Sequence, residues 1–355
     1  MKPSNFFQAA AVAAACFAWS FAGTPAKAQD VTLKFATING ETTRAFKEIQ
    51  APLTQAIEKD SGGRLKIDIR GPGPNGFGKP AEYLDLLRKG EIDIAYTVQG
   101  YTPGQFPGTT VGELPLMYRS SEDGTRALWG LYKEGLLDKE YAGLKVLALN
   151  ISAPFGIFSA NKPINGIKDF HGMRIRVPSP TVGLALARMG AVPIGLPLNL
   201  IGESIANHMV DAISYGADPL ESLTGSDGKP VADQIKAAYD CRFAAPALMI
   251  VMNQKAYDAL PKDVQKAIDD HTGWALSLAM AKDRDTSEAA AKQRLQQSGR
   301  YAFTVMTPEQ HDEMAKLIAP VIDEWKKSVA SQGLDADKLL QRAQELAAQK
   351  TASAN

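Results

Sequence analysis

Arg174 and Arg176 are the residues whose type and spacing most directly offer binding chemistry. They sit in H-G-M-R-I-R-V-P-S-P, residues 171–180, where apolar and basic side chains alternate. That period of two predicts a strand with Met173, Ile175 and Val177 on its core face and both arginines on the other. Pro178 stops the hydrogen-bonded ladder. Ser179 is placed to cap a helix that has Pro180 at its first position. In an α/β fold, ligands collect at the C-terminal ends of strands. A guanidinium is also the side chain best shaped to hold a carboxylate or phosphate on two prongs. Arg176 is therefore the candidate for gripping the carboxylate of a small ligand. On position alone, a solvated arginine stays equally open.

No reactive constellation accompanies it. The chain has no G-x-S-x-G, H-E-x-x-H, C-x-x-C or Walker-type loop. One G-x-G-x-x-G does occur, from Gly71 to Gly76, but Pro72 and Pro74 remove the backbone N–H groups that a phosphate cradle needs. His171, His208, His271 and His311 are scattered, with no i, i+4 ligand pair, so neither a metal nor a cofactor is expected. Asp211 and Asp218 are available as an acid and a base, with nothing in their spacing to favour that use. The pattern points to binding rather than catalysis; an exported enzyme acting on a carboxylate substrate is the rival.

The elements that would position Arg176 alternate between strand and helix. Val31–Phe35, a helix to about Asp60 and Leu65–Ile69 form a β-α-β start, which predicts a parallel sheet. The strand at 92–96 runs into a loop that offers Gln99, Tyr101 and Phe106 as pocket walls. Further helices are expected over 121–141, 180–189, 308–329 and 336–348, with a kink at Pro320. Tyr215 closes a strand at 210–215, and 244–252 reads as a buried strand returning to the first unit. Lys262 to Ser298 contains no proline and one glycine. A continuous helix there would be roughly 55 Å long, more than one small domain, and so would span two.

Lys+Arg and Asp+Glu are both 39, and no basic stripe is interleaved with aromatics, so nucleic acid is not an expected partner. Lys2, an apolar run over 6–22 and Ala26-Lys27-Ala28 read as a secretory signal cut after Ala28. Cys241 would then be the only cysteine left, with a structural role.

The export signal, G-E-I-D at 90–93, E-L-P-L-M at 113–117, G-M-R-I-R-V-P at 172–178, V-D at 210–211 and the spanning helix occur in that order. Together they resemble the periplasmic solute receptors of tripartite ATP-independent (TRAP) transporters. The resemblance implies an α/β, two-lobed periplasmic-binding-protein-like fold with a long helix across both domains. The domains would be 29–152 with 246–286, and 153–245 with 287–355. It also implies a monomeric periplasmic receptor that closes over its ligand and delivers it to membrane subunits, with Arg176 on the ligand carboxylate and Tyr215 in the pocket. Gly156 stands where the sialic-acid branch has a second arginine. Ser214 replaces the acid of V-D-G-A-E-W in the keto-acid branch, which weakens any case for a bound metal. The expected ligand is a small organic monocarboxylate with an apolar or aromatic body, walled by Phe155, Phe158, Tyr101, Phe106 and Tyr215. A short 2-oxo or 2-hydroxy acid is the alternative.

Overall fold

A computed structural model describes residues 31–225 and 227–349. The signal segment read at 1–28 lies outside them. In chain order the strands are β1 (Val31–Thr37), β2 (Leu65–Arg70), β3 (Ile94–Val98), β4 (Leu144–Ile151), β5 (Gly156–Ser159), β6 (Arg174–Val177), β7 (Val192–Gly195), β8 (Ala212–Tyr215), β9 (Ala237–Asp240), β10 (Ala247–Asn253) and β11 (Ala302–Val305). The α-helices are α1 (Ala51–Asp60), α2 (Tyr83–Lys89), α3 (Ser121–Lys133), α4 (Pro180–Arg188), α5 (Ile201–Ala206), α6 (Ala217–Ser222), α7 (Gln254–Asp258), α8 (Lys262–Asp270), α9 (Trp274–Gln297), α10 (Pro308–Ala330) and α11 (Ala336–Ala348).

They build two lobes, each around one sheet. The first sheet has the order β2-β1-β3-β10-β4 and the second β11-β9-β5-β8-β6-β7. The β-α-β start does give parallel pairing of β1 with β2 and β3. β10 then returns antiparallel between β3 and β4. β3 is buried along its whole length and β10 over all but its last residue, as expected of central strands covered on both faces. The chain passes between the sheets after β4, after β9 and again along α9.

The expected long helix is present but bent, divided at Gly273 into α8 and α9. Gly273 adopts φ +81°, and its N–H donates to the Leu147 carbonyl at 2.6 Å. That bond, made to β4 rather than to the preceding turn, ends α8 and starts α9 anew. The Trp274 ring then lies 6.2 Å from that of Trp129 on α3. At 24 residues α9 is about 36 Å long. It still spans both lobes, packing on α3 and β4 in the first and on α6 in the second. The helix expected over 121–141 stops at Lys133, because the chain turns through Gly135 at φ +75°. α10 runs through Pro320.

α11 requires another correction. Sequence reading places it with the second unit, yet it lies on α3 beside the first sheet. Its stripe of Leu339, Ala343 and Leu346 is buried there. Gly130 leaves room for Leu346, since a Cβ at that glycine would come within 2.7 Å of the leucine Cδ1. Arg342 adds an ion pair to Glu134 at 2.7 Å.

Candidate functional site

The two arginines of β6 share a face and have different fates. Arg174, nearer solvent, is held by Asp211 through Nε at 3.0 Å and Nη2 at 2.8 Å. Asp211 also accepts from the Arg174 backbone N–H and from Asn161 Nδ2. The aspartate of V-D is thus a staple between β6 and β8. Its neighbour in the chemistry-free pair, Asp218, lies elsewhere and is bound by Arg44.

Arg176 is 1% exposed. Its Nε donates to the Leu196 carbonyl at 2.8 Å, and Nη2 to the Tyr101 hydroxyl at 3.4 Å. Among the described residues no carboxylate pairs with it, and Nη1 has no hydrogen-bond partner. A guanidinium withdrawn from water without a counterion costs several kcal/mol. Such a group is stable in a fold mainly where an anion completes it. Ser214, which stands where an acid was considered, donates its Oγ–H to the Arg176 carbonyl at 3.0 Å and so braces the strand.

Tyr101 comes from the opposite lobe. Its hydroxyl accepts from Leu198 N at 2.8 Å as well as from Arg176. Burial pushes this phenol up, while Arg176 and the Leu198 N–H pull it back, so it stays protonated at neutral pH. With both lone pairs occupied, its proton is the part left to offer an acceptor. Phe155 and Tyr215 pack with ring centroids 5.8 Å apart. Arg176, Tyr101, Phe155 and Tyr215 line one cavity of about 50 Å³ between the lobes, together with Tyr96 and Leu248. At roughly 10–15 Å³ per water, that is room for about three to five waters.

The lobes meet closely beside this cavity. A Cβ on Gly100 would lie 2.3 Å from Ser179 Cβ and 2.8 Å from the Pro178 carbonyl oxygen. Gly100→Ala should therefore fold normally and resist closure. We expect about tenfold weaker ligand binding, from an overpacking penalty of roughly 1–2 kcal/mol felt only in the closed form. Calorimetric titration beside an unchanged circular dichroism spectrum checks it; unchanged affinity would show that this contact does not limit closure.

Residues 35–328 match the family described as bacterial extracellular solute-binding protein, family 7. The chain belongs to that family. It is 27% identical over 335 residues to the outer membrane transporter protein TsaT of Comamonas testosteroni, covering 92% of this chain and 95% of the relative. Among solved structures, a TRAP solute-binding protein from Rhodoferax ferrireducens with copurified benzoate superimposes with a TM-score of 0.83 at 27% identity. That match covers 90% of this chain and 98% of the other. A marine-metagenome TRAP protein specific for aromatic acid ligands, bound to 3-hydroxybenzoate, gives a TM-score of 0.82 at 26% identity, with the same coverage. The chain is a TRAP solute receptor.

In this receptor three of the six expected wall residues, Gln99, Phe106 and Phe158, do not line the cavity. Gln99 donates from Nε2 to the Tyr141 hydroxyl at 2.7 Å, and the Phe106 ring sits 5.3 Å from the Tyr141 ring. The cause is local. Residues 99–101 form a 3-10 turn, so Gln99 and Tyr101 diverge instead of sharing a strand face. Phe158 lies in the core of the second sheet, paired across to Ile213 and Ala238. The buried Cys241 thiol is pushed up to about 12 by burial, which holds it protonated.

Sequence reasoning missed a polar cluster on the cavity's other side. Arg44, just past β1, reaches Asp218 on α6 with Nε at 2.8 Å and Nη2 at 3.2 Å. The same guanidinium binds Asp283 on α9 at 3.0 and 2.7 Å. Arg284 reaches Asp218 at 3.8 Å. In sequence, D-R-D at 283–285 on an Ala- and Lys-rich helix reads as a solvated face. Only the packing of α9 across both lobes turns it inward.

Glu113, in the E-L-P-L-M stretch, also bridges the lobes. Its Oε1 accepts from Ala247 N at 3.0 Å, and its buried Oε2, near Ser179 and Thr181 of the other lobe, has no hydrogen-bond partner. Burial outweighs the Ala247 N–H and raises its pKa to about 7. The unfolded chain gives up this proton near its ordinary value, well before the folded receptor does. The stabilisation is therefore complete below about pH 4.5 and is lost as pH rises through 7. Glu113→Gln should flatten that decline and gain roughly 2–3 kcal/mol at pH 8 relative to wild type. Denaturant titrations at pH 5 and 8 read it; parallel curves would remove Glu113 as the cause.

Proposed function

We propose that the receptor captures a small aromatic monocarboxylate, with Arg176 as the partner of the carboxylate, and passes it to the membrane subunits of a TRAP transporter. The observation that carries this reading is the buried guanidinium without an acid beside it. Five N–H donors are available on that group, and the protein uses Nε and one N–H of Nη2. The remaining Nη edge suits the two oxygens of a carboxylate. Phe155 and Tyr215 supply an aromatic wall of the kind that flat rings pack against. The benzoate and 3-hydroxybenzoate found in the two similar receptors support the same ligand class.

Closure follows from the split of the site between lobes. Tyr101 arrives from one and Arg176 from the other, with the hinge where the chain passes between sheets at 152–155 and 241–246. Shutting the lobes excludes water and strengthens the ion pair. The relatives are transport solute-binding proteins, which favours binding over turnover. A calorimetric comparison of benzoate, neutral benzamide and pyruvate tests the assignment. Benzoate should bind, with benzamide at least a hundredfold weaker. Tighter binding of pyruvate would replace the aromatic acid with a short 2-oxo acid, and equal binding of benzamide would remove the ion pair.

A further inference from the structure

The cavity has a second polar end. Asn39, Arg284 and Pro219 wall both the inner cavity and a larger one of about 450 Å³ beyond it, whereas Arg176 and Phe155 wall only the inner one. Asn39 and Arg284 thus stand where the inner cavity meets the outer one, and Arg176 does not. The guanidinium of Arg284 lies beside Tyr96 and Tyr215, and its side chain is 12% exposed. Asn39 Nδ2 is buried and has no hydrogen-bond partner.

The two ends differ in charge balance. Arg176 has no counterion among the described residues. Arg284 belongs to a set in which Arg44 and Arg284 face Asp218, Asp283 and, on the exposed side of Arg44, Glu48, two positive charges against three negative. Glu288, next along α9, is matched by Lys292 at 3.5 Å. An anion placed at this end would face Asp218 with no positive charge left to neutralise it. A neutral oxygen would instead accept from Asn39 Nδ2 and the Arg284 guanidinium, and would relieve the unpartnered amide.

We propose that the ligand is a monoanion with a neutral oxygen substituent, a hydroxyl or carbonyl, at the end remote from its carboxylate, and that Asn39 and Arg284 select it. This rests on the aromatic-monocarboxylate reading above and narrows it. The full receptor, Asn39→Leu and Arg284→Met are titrated calorimetrically with benzoate, 3-hydroxybenzoate, 4-hydroxybenzoate and benzene-1,3-dicarboxylate. In wild type at least one hydroxybenzoate should bind tenfold or more tightly than benzoate, and the dicarboxylate more weakly than benzoate. In each variant the gap between that hydroxybenzoate and benzoate should close to within twofold. Two variants on different elements guard against one that misfolds. Binding of benzoate with no hydroxyl preference, or a preference that survives in both variants, overturns this proposal and leaves the preceding one standing. Tightest binding of the dicarboxylate overturns the neutral substituent. Failure of every ligand overturns both proposals.

Discussion

Arg176→Met is expected to weaken binding of an aromatic carboxylate about a thousandfold, and in the same protein to raise the stability of the ligand-free form. The two effects have one origin. In the complex the carboxylate would be left in a closed, apolar cavity without its partner, at a cost of roughly 3–5 kcal/mol. Without ligand it is the guanidinium that lacks a partner, 1% exposed and bonded only to Leu196 O and the Tyr101 hydroxyl. Methionine has a similar reach and no charge to desolvate. Removing the unpaired charge should gain more than the lost bond to Leu196 costs, a net of about 1–2 kcal/mol. That corresponds to a rise of about 1.5–3 °C in unfolding temperature for a chain of this size. Calorimetric titration and thermal unfolding read the two effects separately. A variant that loses stability while keeping its affinity would reverse the role assigned to Arg176.

Arg44→Met should cost about a hundredfold in affinity without touching the carboxylate. Arg44 ties the first lobe to α6 and α9 through two carboxylates, and Asp218, one of them, is 5% exposed. With Arg44 gone, Asp218 keeps only Arg284 at 3.8 Å. A buried acid stripped of its close partner costs roughly 3 kcal/mol. Opening the lobes hydrates Asp218 and avoids that cost, so the penalty falls on the closed form. The apparent affinity drops in proportion to the closed fraction. Small-angle scattering of the ligand-free variant should show a larger radius of gyration than wild type. An unchanged radius together with unchanged affinity would mean that the ion pair does not govern closure.

Much of the site was legible because its elements are local. Period-two alternation through Met173, Arg174, Ile175, Arg176 and Val177 set the strand face. Ser179 does cap α4, its Oγ accepting from Val182 N at 3.3 Å with Pro180 at the first position. What alternation does not reveal is which of two arginines on one face is buried. Arg174 ends beside Asp211 at the strand's open end, and Arg176 runs under Tyr101 of the other lobe. That difference depends on a contact between residues far apart in the chain. The same holds for Arg284 and Asn39, whose roles arise only when α9 and the β1 end are brought to one cavity.

The glycine-rich loop after β2 shows how a motif can be satisfied for another reason. A Cβ on Gly71 would lie 2.6 Å from the Asn39 carbonyl oxygen, and one on Gly76 would lie 2.5 Å from the Gly71 carbonyl oxygen. These glycines permit a tight turn against the end of β1, where Asn39 sits. Their spacing reports backbone crowding rather than phosphate binding.

The most direct measurement is a crystal structure of the receptor grown with 3-hydroxybenzoate. The carboxylate should lie across Nη1 and Nη2 of Arg176 at about 2.7–2.9 Å, with the Tyr101 hydroxyl donating to one oxygen and the lobes closed. A ligand whose carboxylate rests on Arg284 or in the outer cavity, leaving Arg176 with Leu196 and Tyr101 alone, would contradict the account.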